Sequence, residues 1–234
     1  MTDRRPVSSL RLATAAALAS WAGLFWFLLI SGRTSLYLSS RTAWVVPTGA
    51  VVLTLAAAGR LATVRAPRKE RLTPRMSWAL GFIVFPAVIV LTLPPTALGS
   101  YAAARRSLSA GFAGPALETG GRVTLAAVAA GVWSDEARRA LIDRAGSPVR
   151  FEGIVTRREG SPADEFVLTR FIVSCCVADA LSVQVRVVGA PPGRFEEDQW
   201  VRVSGTFYPV GREVVVAASS VRAIPQPDDP YLNV

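Results

Sequence analysis

Apolar and polar positions divide this chain into a first part of long apolar runs and a second part of short alternating stretches. Residues 12–31 carry no charge; as a helix this run rises about 30 Å, the thickness of a bilayer core. The second run is 43–59, with Pro47 near its start, where a missing N–H does least harm. The third is 78–93, closed by Pro94-Pro95, and Pro86 inside it predicts a kink. Trp44 and Trp78 stand at run ends, where an indole suits the headgroup region. A cleavable signal peptide would have a shorter apolar core, whereas the first run extends to Ser31-Gly32-Arg33.

Beyond residue 99 the pattern changes. Residues 100–148 read as a linker, rich in Ala, Gly and Ser at its start, and its apolar stretch 123–133 is too short to span. Ser134 followed by Asp135 and Glu136 predicts a short helix over 134–145, stopped by Gly146 and Pro148. Five strand-like stretches follow at 149–157, 166–174, 181–188, 199–208 and 213–224, separated by Gly, Pro and acidic turns. Trp200, Arg202, Ser204 and Thr206 face one way and Val201, Val203, Gly205 and Phe207 the other. Gly153 and Gly205, inside strands, predict sharp bends. The fold class expected is an α+β membrane protein. Three N-terminal transmembrane helices within 1–99 precede a small five-stranded OB-like β-barrel over 149–224. The tail 225–234, with three prolines, is expected to run extended over the barrel or to reach a partner.

Composition agrees with the apolar runs: 51% of residues are hydrophobic and 18% charged. The net charge of +9 invites a nucleic-acid reading, but its distribution excludes it. Residues 1–100 carry 11 Lys/Arg and 2 Asp/Glu, while 101–234 carry 15 of each. The excess therefore belongs to membrane topology. Arg60, Arg65, Arg68, Lys69, Arg71 and Arg75 between runs two and three face one acid, Glu70, whereas only Arg33 and Arg41 lie between runs one and two. The Arg-rich loop should stay in the cytoplasm, with Arg4, Arg5 and Arg11 on the same side. That makes a multi-pass protein of the cell membrane with a cytoplasmic N-terminus and an extracytoplasmic C-terminal domain.

Candidate chemistry is confined to one place. The chain has no histidine, so Ser-His and Cys-His pairs are excluded. No phosphate loop or pair of catalytic carboxylates stands out, no catalytic residue is assigned, and an enzyme is not expected. Both cysteines, Cys175 and Cys176, are adjacent at the end of the apolar stretch 166–174 and precede Asp179. Such a stretch is buried on both faces or closed into a barrel. Three readings stand: plain core thiols, a soft-metal site for Cu(I) or Zn(II) with Asp179 as an oxygen ligand, or a vicinal disulfide or redox pair. Neighbouring strand residues point to opposite faces, so both sulfurs reach one ion only if the strand breaks at 174–176. Arg170 and Trp200 are the structural or ligand-orienting candidates. Arg170, if it points inward, needs a carboxylate, with Glu152 and Asp179 in reach of that role.

The run Phe-Val-Leu-Thr-Arg-Phe-Ile-Val-Ser-Cys-Cys-Val-Ala-Asp-Ala (166–180), with Trp-Val-Arg-Val-Ser-Gly-Thr (200–206), Pro-Asp-Asp-Pro-Tyr-Leu (227–232) and Leu93-Pro-Pro-Thr-Ala-Leu-Gly, resembles the YcgQ-like family of bacterial membrane proteins. One departure is Leu-Ser-Val-Gln-Val after Ala180, where a glycine is expected. The family is described as a permease subunit accompanying a multi-helix permease. The resemblance implies a membrane-anchored accessory protein, in contact with the lipid bilayer and such a permease. The outer barrel would bind a ligand such as a soft metal or dock on that partner. A thiol-redox protein using the vicinal cysteines is the alternative.

Overall fold

The computed structural model describes residues 8–65, 72–93, 96–105, 122–211 and 213–233. Arg4, Arg5, Arg68, Lys69, Glu70, Arg71, Pro94-Pro95 and most of the 100–122 linker lie outside them. The chain forms two compact units: Met1–Thr34 with Thr42–Pro95, and Ser35–Arg41 with Thr96–Val234.

The first unit holds α1 (Ser9–Ile30), α2 (Val45–Ala62) and α3 (Pro74–Thr92). All three are long and apolar enough to cross a membrane. Two begin earlier than their apolar runs because polar caps start them: the side chains of Ser8 and Thr73 accept from the N–H groups of Arg11 and Met76, and Pro74 follows Thr73. α2 extends one turn past Gly59 to include Arg60. α1 packs against both other helices. Trp21 donates to the Ile83 carbonyl at 2.9 Å and Trp26 to the Thr54 hydroxyl at 3.2 Å. Pro86 lies inside α3, which remains one helix. Outward apolar side chains such as Leu55, Phe82 and Phe85 are exposed, as a lipid-facing surface requires.

The second unit is a β-barrel with helical additions. Its strands are β1 (Pro148–Thr156), β2 (Phe166–Val173), β3 (Leu181–Val188), β4 (Trp200–Val210) and β5 (Glu213–Ala223). β1 pairs with β2 and β4, β2 with β3, β3 in parallel with β5, and β5 with β4, so five strands close on themselves in the OB-like arrangement. Inside lie Phe151, Val155, Leu168, Val185, Val203 and Phe207, all buried, with Leu125, Val128 and Leu141 of the preceding helices packed on them. Those helices are α5 (Leu125–Trp133) and α6 (Asp135–Ile142). The apolar stretch 123–133 is thus part of the barrel's core rather than linker. Ser134 caps α6 as its acidic first turn implied, and the helix stops at Ile142, short of Gly146.

Two glycines permit closure. A Cβ on Gly153 would meet the Thr169 backbone, and one on Gly205 the Ala217 carbonyl. At Gly205 the β4–β5 register shifts, leaving Ser219 as an extra residue whose hydroxyl donates to the Ser204 carbonyl at 3.0 Å. At Gly153 β1 leaves β2: their pairing covers only Ile154–Thr169 to Thr156–Val167. Further along, the same edge of β2 is taken by the tail. Tyr231–Asn233 forms a sixth strand, β6, parallel to Phe171, Ile172 and Val173. The tail expected to lie over the barrel therefore completes its sheet.

The outer face of β2 is covered as well. Phe171 and Val173 pack with Trp200, Tyr231, Ala103 of α4 (Ser100–Ala103) and Leu98. This explains why β2 reads apolar on both faces. Asp198, at φ 64°, accepts from the N–H and hydroxyl of Ser100 and so holds that segment in place.

Candidate functional site

β2 ends at Val173, Ser174 and Cys175 form a bend, and Val177–Asp179 makes one 3-10 turn. This is the strand break that two cooperating sulfurs require. Asp179 builds it. One carboxylate oxygen accepts from the Ser174 N–H at 3.0 Å. The other accepts from the Cys175 N–H at 2.8 Å and the Cys176 N–H at 3.4 Å. The sulfurs are 3.6 Å apart, beyond bonding distance. Donor atoms of Cys175, Cys176 and Asp179 all lie within 4.8 Å of one another. Cys175 is exposed and Cys176 half-buried, so the pair does not sit in the core.

Burial raises the Asp179 carboxyl, but hydrogen bonds from the Cys175 thiol and the three N–H groups outweigh it and hold the group below its usual range. The same contact acts in reverse on the thiol: hydrogen bonding to Asp179 first, then to Cys176, pushes Cys175 up to about 12. Among the described residues no cation contributes to this shift. The turn thus favours the protonated form of the Cys175 thiol until something replaces the proton. A tetrahedral ion about 2.3 Å from each of two sulfurs spans an S···S distance of about 3.8 Å. The observed 3.6 Å suits that chelate. Two sulfurs and one carboxylate oxygen leave a fourth position open.

A segment with no sequence signal completes the corner. Leu38, between α1 and α2, bridges Cys176 in antiparallel register. Ser39 N–H donates to the Cys175 carbonyl at 3.1 Å, and Val177 N–H to the Tyr37 carbonyl at 2.9 Å. Nearby in the chain, the Ser35 hydroxyl donates to the Asp228 carbonyl at 2.7 Å. The backbone carrying both thiols is therefore braced by Asp179 from within and by the 35–41 segment from outside.

Arg170 and Trp200 come together, with the guanidinium 5.7 Å from the indole centre. The expected carboxylate partner is corrected, however. Arg170 shares the parity of Leu168 and Ile172, but its Nη2 donates to the Asp229 carbonyl at 2.6 Å and its Nε to the Pro230 carbonyl at 3.3 Å. Glu152 instead takes Arg202 at 2.7 Å, and Asp179 is committed to the thiol turn. Burial lowers the Arg170 pKa, against the raising influence of Glu152 and Asp229. Arg170 thus pins the tail where β1 and β6 exchange places on β2.

Residues 139–233 match the family model described as the DUF1980 C-terminal domain, so the barrel, its thiol corner and its tail strand are similar to that family. No curated protein and no solved structure matches the chain.

Proposed function

We propose that this protein is a membrane-anchored, non-catalytic accessory subunit of a multi-helix permease, as the YcgQ-like resemblance implies, whose outer barrel holds a soft metal ion. Cys175 and Cys176 are its sulfur ligands, and Asp179 orients both and adds an oxygen. The observation that carries this reading is the convergence of the three donor groups within 4.8 Å at an exposed strand break. Thiolates select Zn(II) and Cu(I) over hard cations. A thiol-redox role finds less support. A reactive cysteine needs nearby positive charge, while Cys175 is held up by a carboxylate and Arg170 is engaged with the tail. An extracytoplasmic barrel is supported by the Arg-rich loop between α2 and α3. Parity supports it too: the α1–α2 connection belongs to the same compact unit as the chain beyond α3, as three crossings require.

The test is metal binding by the full chain in detergent, with Zn(II) and Cu(I) measured against competing chelators. One ion per chain at sub-micromolar Kd, lost in both Cys175→Ser and Cys176→Ser, is expected. No binding, accompanied by rapid cysteine-dependent exchange with a small disulfide, would move the protein to the redox class.

A further inference from the structure

The seam where β1 parts from β2 and β6 takes its place contains a second feature, independent of the thiol corner. A cavity of about 270 Å³ opens there. Its apolar lining includes Leu125, Phe151 and Leu232, and three arginines, Arg122, Arg150 and Arg170, line it as well. Among the described lining residues one carboxylate, Glu152, is paired with Arg202, and Glu152 and Asp229 also act on Arg170. The side chains of Arg122 and Arg150 make no hydrogen bond or ion pair among the described residues. Arg170 spends two of its five N–H donors on the tail carbonyls and keeps the rest. A domain that is neutral as a whole thus gathers three positive charges around one partly apolar hollow. Such a cluster attracts anions, and guanidinium forks match phosphate and carboxylate oxygens in pairs. The volume lies just below the range of drug-sized pockets, which limits the occupant to a small molecule.

We propose that this seam binds a small anion bearing an apolar group, a phosphate monoester or a carboxylate, with its charged end among Arg122, Arg150 and Arg170 and its apolar end toward Phe151 and Leu232. The bound anion ties β1, the start of α5 and the tail strand together. The chemistry is common to a soluble organophosphate and to the monoester headgroup of phosphatidic acid.

The experiment uses the full chain in phosphatidylcholine nanodiscs, titrated calorimetrically with butyl phosphate and with inorganic phosphate. Saturable binding of one butyl phosphate per chain is expected, tighter than inorganic phosphate and weakened at least tenfold by Arg122→Gln with Arg150→Gln. Both residues are exposed, so the double variant keeps its fold, which circular dichroism checks. Arg139→Gln, on the exposed side of α6, should leave affinity unchanged. Repeating the titration in discs containing phosphatidic acid separates the sources. Loss of butyl phosphate affinity assigns the site to a headgroup, and unchanged affinity assigns it to a soluble ligand; both uphold the site. Absence of saturable binding, equal affinity for the two phosphates, or undiminished affinity in the double variant overturns the proposal.

Discussion

Leu38 and Cys176 face each other across a two-residue antiparallel bridge, although the second and third apolar helices lie between them in sequence. Its two hydrogen bonds tie the connection between α1 and α2 to the thiol turn. Ser39→Pro removes the donor to the Cys175 carbonyl and the hydroxyl that accepts from the Arg41 N–H, each a net loss of about 1 kcal/mol. The expected result is several-fold faster alkylation of the cysteines, with the β-sheet spectrum intact. An unchanged rate would show that the bridge does not restrain the turn.

Asp179→Asn tests the thiol's protonation. The carboxylate is the first cause of the Cys175 shift to about 12. In a Cys176→Ser background, alkylation of Cys175 at pH 8 should be slow and should accelerate roughly tenfold or more when the charge is removed, because thiolate population rises faster than nucleophilicity falls. A slower variant would contradict the assignment of Asp179 as the group that holds the proton on.

Gly205→Ala places a methyl group against the Ala217 carbonyl at the β4–β5 bulge. Backbone cannot yield as a side-chain tip can, so a loss of about 1–3 kcal/mol is expected in denaturant unfolding of the barrel. A neutral result would mean the bulge can slide by one residue.

The pair Arg158–Glu213, 2.9 Å apart and half exposed on both sides, sets a pH dependence. Arg158 lowers the Glu213 pKa by hydrogen bonding, and burial opposes it. A depressed folded pKa stabilises above the unfolded value, about 4.3, and that contribution disappears as pH falls through the folded value. Glu213→Gln should therefore cost under about 1 kcal/mol at pH 7 and nothing once the carboxyl is protonated in both states. Unfolding curves at pH 7 and in acid check it.

Much of the architecture is legible in the sequence because it rests on side-chain pattern. Apolar runs mark the helices, alternation marks β4, and Gly153 and Gly205 mark the bends. The proximity of Cys175, Cys176 and Asp179 follows from their short spacing once the strand breaks. The contacts that stayed hidden are made by backbone groups that every residue carries. The Leu38–Cys176 bridge, the β6 pairing and the Arg170 bonds to the Asp229 and Pro230 carbonyls all belong to this class. Helices α1 and α3 start ahead of their apolar runs because the caps Ser8 and Thr73 are polar and carry no hydropathy signal. The arginines of the seam were hidden because the domain's charges cancel when summed.

The bond between Ser35 and Asp228 spans 193 residues of chain. A protein made at about 5–20 residues per second presents the first of these residues many seconds before the second exists. The segment at 35–41 must therefore wait, already placed by its flanking helices, until the barrel and its tail arrive. Contacts this distant in sequence slow folding, and the Ser35 anchor of that segment closes only when the tail arrives. In a Cys175→Ser, Cys176→Ser background, a ribosome-bound nascent chain arrested before Asp228 emerges should label faster at an engineered Ser35→Cys than the released full-length chain.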